Sequence, residues 1–65
     1  MESKGADFYN LALAYANIGE KNKTFESLTK AVDNGYNSKV KYESEPDFEL
    51  LKSDARWKVL LEKLK

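Results

Sequence analysis

Phe8-Tyr-Asn-Leu-Ala-Leu-Ala-Tyr15, followed by Gly19 and then by Phe25, Leu28 and Ala31, is the stretch whose reading decides the fold. Phe8, Leu11, Ala12 and Tyr15 recur at i, i+3, i+4 and i+7, a spacing that places four side chains on one face of an α-helix. The spacing predicts a first helix from Lys4 to Ile18. Gly19 follows the last periodic residue, where a left-handed C′ position favours glycine. A second helix is expected from Asn22, its cap, to Asp33, with Glu20 and Lys21 spanning the turn. It carries Phe25, Leu28, Ala31 and Val32 on one side, and Asn34-Gly35 ends it as Gly19 ends the first. So short a connection makes the two helices antiparallel neighbours.

The first helix has a second apolar face. Ala6, Tyr9, Leu13 and Ala16 recur at i, i+3, i+7 and i+10, turned roughly 60–100° from the first stripe. An isolated hairpin needs one stripe; two mean that something packs on both sides. With Asn17 beside them, Ala6, Tyr9, Leu13 and Ala16 form the candidate interaction face. The competing reading is that a preceding repeat, the C-terminal helix or a second chain simply covers it.

Residues 36–46 read as a polar connector. A helical turn from Ser38 to Tyr42 is preferred there over an extended run through Val40 and Tyr42. Beyond it an internal echo appears: Glu45-Pro-Asp-Phe-Glu-Leu-Leu and Asp54-Ala-Arg-Trp-Lys-Val-Leu share one order of acid, ring or small residue, charge, aromatic, charge and two apolar residues. Each acid is placed to cap a helix, with Pro46 or Ala55 at the first helical position. The first copy predicts a short helix to Lys52, burying Phe48 and Leu51. The second predicts a final helix with Trp57, Leu60, Leu61 and Leu64 on one face. Lys63 and Lys65 lie at its C-terminus, where positive charge complements the helix dipole.

Composition narrows the chemistry. A chain of 65 residues is one domain at most and buries only about 60% of its unfolded surface. It holds no Cys and no His, which excludes disulfides, thiolate metal sites and imidazole ligands. Eleven basic residues balance eleven acidic ones, so nothing in the net charge favours nucleic acid or a membrane. No apolar stretch is long enough for a membrane span, and Met1-Glu2-Ser3-Lys4 is not followed by the apolar core of a signal peptide. The compartment stays open.

Residues 5–38 resemble one tetratricopeptide repeat, a helical hairpin with a period of about 34 residues. Phe8 stands at the leading aromatic position, Leu11 and Ala12 at the Leu-Gly/Ala pair, Tyr15 at the second aromatic and Gly19 at the turn glycine. Leu28 and Ala31 match the apolar and small positions of the second helix. Thr24 replaces the small alanine early in that helix, and Tyr36 replaces the closing proline. The tail Glu45-Pro-Asp-Phe-Glu-Leu-Leu-Lys-Ser-Asp-Ala-Arg-Trp57 resembles the D-P-D-F-x-x-L-R-x-D-P-R-W ending that follows the last repeat in many bacterial multi-domain proteins. Glu45, Lys52 and Ala55 depart from it and keep the capping logic. The resemblance implies a C-terminal repeat and its cap, a repeat core of Phe8, Leu11, Ala12, Tyr15, Gly19, Phe25, Leu28 and Ala31, and a ligand groove along Tyr9, Leu13, Ala16 and Asn17. Some relatives clamp a terminal carboxylate with Lys and Asn on that face. Tyr9 and Leu13 occupy those sites here, which argues against such a clamp.

Other candidate groups read as structural. Glu43, Glu45, Asp47 and Glu49 lack the turn glycine and ligand spacing of a calcium loop, and no pocket is suggested that would tune them for acid–base work. Trp57 is the residue type that dominates interface hot spots, but its periodicity with Leu60, Leu61 and Leu64 favours the core. Ser3, Ser27, Ser38, Ser44 and Ser53 have no His or Cys partner to activate a nucleophile.

The expectation is therefore an all-α fold of the right-handed α-α superhelix type. A tetratricopeptide-like antiparallel hairpin (5–38) is joined by a connector, short helix and capping helix (39–65) in one small domain (1–65). The expected function is a non-catalytic protein-interaction or scaffold module without cofactor or metal, binding a protein or peptide but neither nucleic acid nor membrane. A purely structural cap of a larger chain, and a self-associating homodimer, are the other readings.

Overall fold

The computed structural model describes residues 4–64 and is all-α. The elements are α1 (Lys4–Asn17), α2 (Lys21–Asp33), α3 (Lys39–Ser44), a 3-10 helix (Pro46–Leu51) and α4 (Ala55–Lys63). Residues 1–3 and 65 lie outside the described residues, and with them the leader reading, Ser3 and the Lys65 charge.

Both hairpin helices stop where glycine permits a left-handed turn. Gly19 has φ 79° and Gly35 φ 93°. At the first, the Gly19 amide donates to the Ala16 carbonyl (3.1 Å) and the Glu20 amide to that of Tyr15 (2.9 Å). At the second, Gly35 donates to Val32 (3.0 Å) and Tyr36 to Ala31 (2.9 Å). This paired closure satisfies carbonyls that a helix end otherwise leaves open. The start of α2 differs from expectation: Glu20 holds the cap position without a side-chain hydrogen bond, and Asn22 instead accepts from Arg56. The Thr24 hydroxyl, fully buried, donates to the Glu20 carbonyl at 2.7 Å, and α2 begins two residues earlier than an Asn22 cap allows.

The hairpin closes on small residues. Gly5 and Ala12 of α1 and Thr24, Ser27 and Ala31 of α2 are buried. A Cβ on Gly5 would lie 2.6 Å from Tyr36 Cβ and 2.9 Å from the Ala31 carbonyl oxygen. The start of α1 thus lies against the end of α2, as an antiparallel pair requires.

Here the expected rotation of α1 is corrected. Its buried line is Gly5, Tyr9, Ala12 and Ala16; Phe8 and Tyr15 are half-buried and Leu11 is 43% exposed. The reason is the C-terminal segment, which packs on the Tyr9 side. Tyr42, expected only in a connector turn, is fully buried. Its hydroxyl donates to the Tyr36 carbonyl at 2.6 Å. The Tyr9 ring centroid lies 4.8 Å from that of Tyr36, 5.2 Å from Tyr42 and 5.6 Å from Phe48. Phe48 passes the contact on to Trp57 at 6.2 Å. These offset and edge-on arrangements are the favourable ones for aromatic rings.

The two acids before the last helical segments act as caps. Glu45 accepts from the Asp47 amide at 3.4 Å, and Asp54 from the Arg56 amide at 2.9 Å. The Phe48–Leu51 turn is a 3-10 helix, and packs on α1, while α4 packs on α2. Phe48, Leu51, Trp57, Leu60 and Leu64 are buried and Leu61 is half-buried against them.

Candidate functional site

The face expected to receive a partner is largely closed by the chain itself. Tyr9 and Ala16 are buried in the core, and Leu13 packs half-buried against it. The Tyr9 hydroxyl donates to the Lys41 carbonyl at 3.1 Å. Burial first, then the nearby Glu45, Tyr36 and Asp47, pushes its pKa up to about 12. Asn17 stays exposed and donates to the Leu13 carbonyl at 3.0 Å and to Asp47 at 3.4 Å. Ala6 is half-buried. Lys41 and Tyr42 of the connector and Phe48 of the 3-10 helix cover Tyr9, and Ala16 is buried in the same core, so neither is an open surface.

Of the stripe that sequence placed in the core, Ala12 is fully buried, Phe8 and Tyr15 are half-buried and Leu11 is left largely outside. Phe8, Leu11, Tyr15 and Ile18 recur at i, i+3, i+7 and i+10 and face away from the tail. Ile18 is 70% exposed and Leu11 43%, with the half-buried rings of Phe8 and Tyr15 between them and α2. Two lysines of α2 border these rings. Lys23 Nζ stands 5.8 Å from the Tyr15 ring centroid, and Lys30 Nζ 5.7 Å from that of Phe8. Such cation–ring contacts are worth about 0.5–1 kcal/mol at exposed sites. Ile18, Lys23 and Lys30 were not singled out from sequence. Their signal was present: Ile18 extends the Phe8–Tyr15 period, and two lysines seven positions apart fall on one helical face.

The groove between α2 and α4, about 350 Å³, is lined by Asn22, Phe25, Glu26, Thr29, Arg56, Val59, Leu60 and Lys63. Its polar centre is already occupied. The Arg56 guanidinium donates to both Asp54 oxygens (3.1 and 2.9 Å) and to Asn22 Oδ1 (2.8 Å), and lies 4.5 Å from the Phe25 ring centroid. Lys21 adds a 3.7 Å contact to Asp54. Hydrogen bonds from Arg56 hold the Asp54 carboxyl well below the usual carboxylate range. This arrangement ties the start of α4 to α2 and leaves the guanidinium little capacity for a ligand. A shallower hollow of about 450 Å³ lies over Trp57 and Leu61, beside Lys52 and Lys58.

Among the described residues, no group of acidic side chains is arranged to hold a metal ion. No helix there is long and apolar enough to cross a membrane. Comparison with protein-family models, curated proteins and solved structures returned no match.

Proposed function

We propose that the chain is a non-catalytic protein-interaction module with a tetratricopeptide-like hairpin, and that its contact surface is the outer face of α1. The observation that carries this is the line of exposed Leu11 and Ile18 with the half-buried rings of Phe8 and Tyr15 beside them. Three large side chains in register on α1, continued by Ile18 in the turn that follows it, form one patch rather than scattered surface residues, and such patches mark interaction sites. The resemblance of residues 5–38 to the repeat family supports the reading, since that family works by presenting helix faces to other chains.

The test is titration of the isotopically labelled chain with helical peptides that share one apolar stripe and carry acidic, neutral or basic flanks, followed by NMR. Light scattering over a range of concentration runs alongside. Resonances of Leu11, Tyr15 and Ile18 are expected to move, and Leu11→Asp with Ile18→Asp to abolish the shifts at unchanged helicity. Unmoved resonances with every peptide, together with a monomer at every concentration, overturn the reading.

A second reading, a structural cap on a longer chain, is favoured by one observation. The tail covers one side of the hairpin through Tyr42, Phe48 and Leu51, all fully buried, which is how a terminal repeat is protected from aggregation.

A further inference from the structure

Resting on the interaction-module reading, we infer that the outer face of α1 receives an acidic amphipathic helix from a partner chain, with Lys23 and Lys30 as the groups that select it. The apolar part fixes the shape of the occupant. Phe8 to Tyr15 covers two turns of α1, a stripe about 10 Å long at the α-helical rise, and Ile18 extends it into the turn beyond the helix. It lies beside α2, so a third helix can lie along both with its own apolar side chains at i, i+3 and i+7.

The charged part fixes the sign. On α2, Lys23 and Lys30 border the stripe, with the buried Ser27 between them. Asp7 and Glu20 stand towards the stripe's ends, and Glu26, one turn from each lysine, lines the groove between α2 and α4. Among the described residues neither Lys23 nor Lys30 forms an ion pair; the bridges are those of Lys21, Lys52 and Arg56. Each ammonium is instead held over an aromatic ring of the stripe. Two ammonium groups thus stand two helical turns apart along the edge of an apolar surface. Carboxylates seven residues apart on a docked helix would meet both.

The same charges argue against a second copy as the occupant. A symmetric dimer with antiparallel α1 helices through this face brings the same patch of both chains together, and so sets Lys23 and Lys30 of one copy on the same side as those of the other. Like charges at an interface are disfavoured. Nucleic acid fits less well, because two lysines beside an apolar stripe offer few phosphate contacts.

The experiment compares three synthetic helical peptides of α1's length, 14 residues, with identical apolar faces and acidic, neutral or basic flanks. Affinity is read by fluorescence anisotropy at low and raised salt. The acidic peptide should bind about tenfold tighter than the neutral one, as expected for two solvent-exposed charge pairs. The basic peptide should bind weakest, and salt should erase the order. Lys23→Glu with Lys30→Glu should invert the order, and Lys23→Gln with Lys30→Gln should flatten it, both at unchanged circular dichroism. Equal affinities for the three peptides, or an order that survives charge reversal, overturn the inference and leave the interaction module standing. A homodimer dissolved by Leu11→Asp also overturns it while keeping the face as an interface. Absence of both peptide binding and dimer removes the module reading itself.

Discussion

The Tyr9 hydroxyl donates to the Lys41 carbonyl across 32 positions of sequence, at 3.1 Å. One side chain therefore joins α1 to the connector, and its ring meets Tyr36, Tyr42 and Phe48 as well. The two roles separate by mutation. Tyr9→Phe keeps the ring and loses one hydrogen bond, worth about 1 kcal/mol. Tyr9→Ala also opens a cavity where the three rings converge, a loss of about 3–5 kcal/mol. Against a total of roughly 3–10 kcal/mol for a chain of this length, the second loss is a large share of the stability. Urea unfolding followed by circular dichroism separates the two. Equal midpoints for Phe and Ala would mean that the ring contacts contribute nothing.

Burial of the tyrosines makes stability sensitive to alkali. Tyr9 titrates at about 12 in the folded chain, against about 10 when unfolded. Burial also pushes the Tyr42 phenol up. The folded state holds these protons more tightly, so the stabilisation is complete below pH about 10 and falls as the pH rises towards the folded values. Helicity and urea midpoint should be flat from neutral pH to about 10 and then decline. Tyrosinate absorbance should show Tyr9 and Tyr42 ionising late, together with loss of helix. Four tyrosines ionising together near their ordinary value, with helix intact, would contradict the buried geometry.

Asp54 is both the cap of α4 and the anchor of Arg56. Its side chain accepts from the Arg56 amide and from the guanidinium. Because its carboxyl titrates below the ordinary value, the stabilisation is present above the unfolded pKa of about 3.9. It is lost as the pH falls through the folded value. Asp54→Asn retains a capping oxygen and loses the ion pair; Asp54→Ala loses both. Melting temperatures at neutral pH should therefore fall in the order Asp, Asn, Ala, and the gap between Asp and Asn should narrow in acid. An Asn variant melting with wild type would assign the whole effect to capping.

Helix ends were the legible part of this chain because their causes are local. Gly19, Gly35, Glu45, Pro46 and Asp54 each act within a few residues of themselves, and the residue type alone points to the turn or cap. The rotation of α1 was not legible in the same way. Its sequence offers two apolar stripes, and which faces inward depends on the tail, more than twenty residues away. Tyr42 was hidden for a related reason: between Lys41 and Glu43 it shows no period, and its burial comes from Tyr9 and Tyr36. One signal for the rotation is present in the sequence and was not read. Gly5, Ala12 and Ala16 make a line of small residues on α1, and Thr24, Ser27 and Ala31 make one on α2; helices approach closely along such lines. The candidate contact face follows from the same rotation, since turning Tyr9 inward is what turns Leu11 and Ile18 outward.

Gly5 tests that close approach directly. Replacing a helical glycine by alanine ordinarily stabilises a helix, by about 1 kcal/mol in an exposed interior. Here the added Cβ would stand 2.6 Å from Tyr36 Cβ and 2.9 Å from both the Tyr36 amide nitrogen and the Ala31 carbonyl oxygen. Two of these neighbours are backbone atoms, held by the Tyr36-to-Ala31 hydrogen bond that closes α2, so neither can swing aside. Relief requires α1 to move off the end of α2, and overpacking of this kind costs about 1–3 kcal/mol. The steric cost outweighs the propensity gain, and Gly5→Ala should lower the urea midpoint despite its better helix propensity. The displacement would also shift Tyr36 relative to Tyr9, so near-ultraviolet circular dichroism from the tyrosine cluster should change with it. A Gly5→Ala variant as stable as wild type or more so, with an unchanged aromatic spectrum, would mean that α1 and α2 do not meet this closely at Gly5.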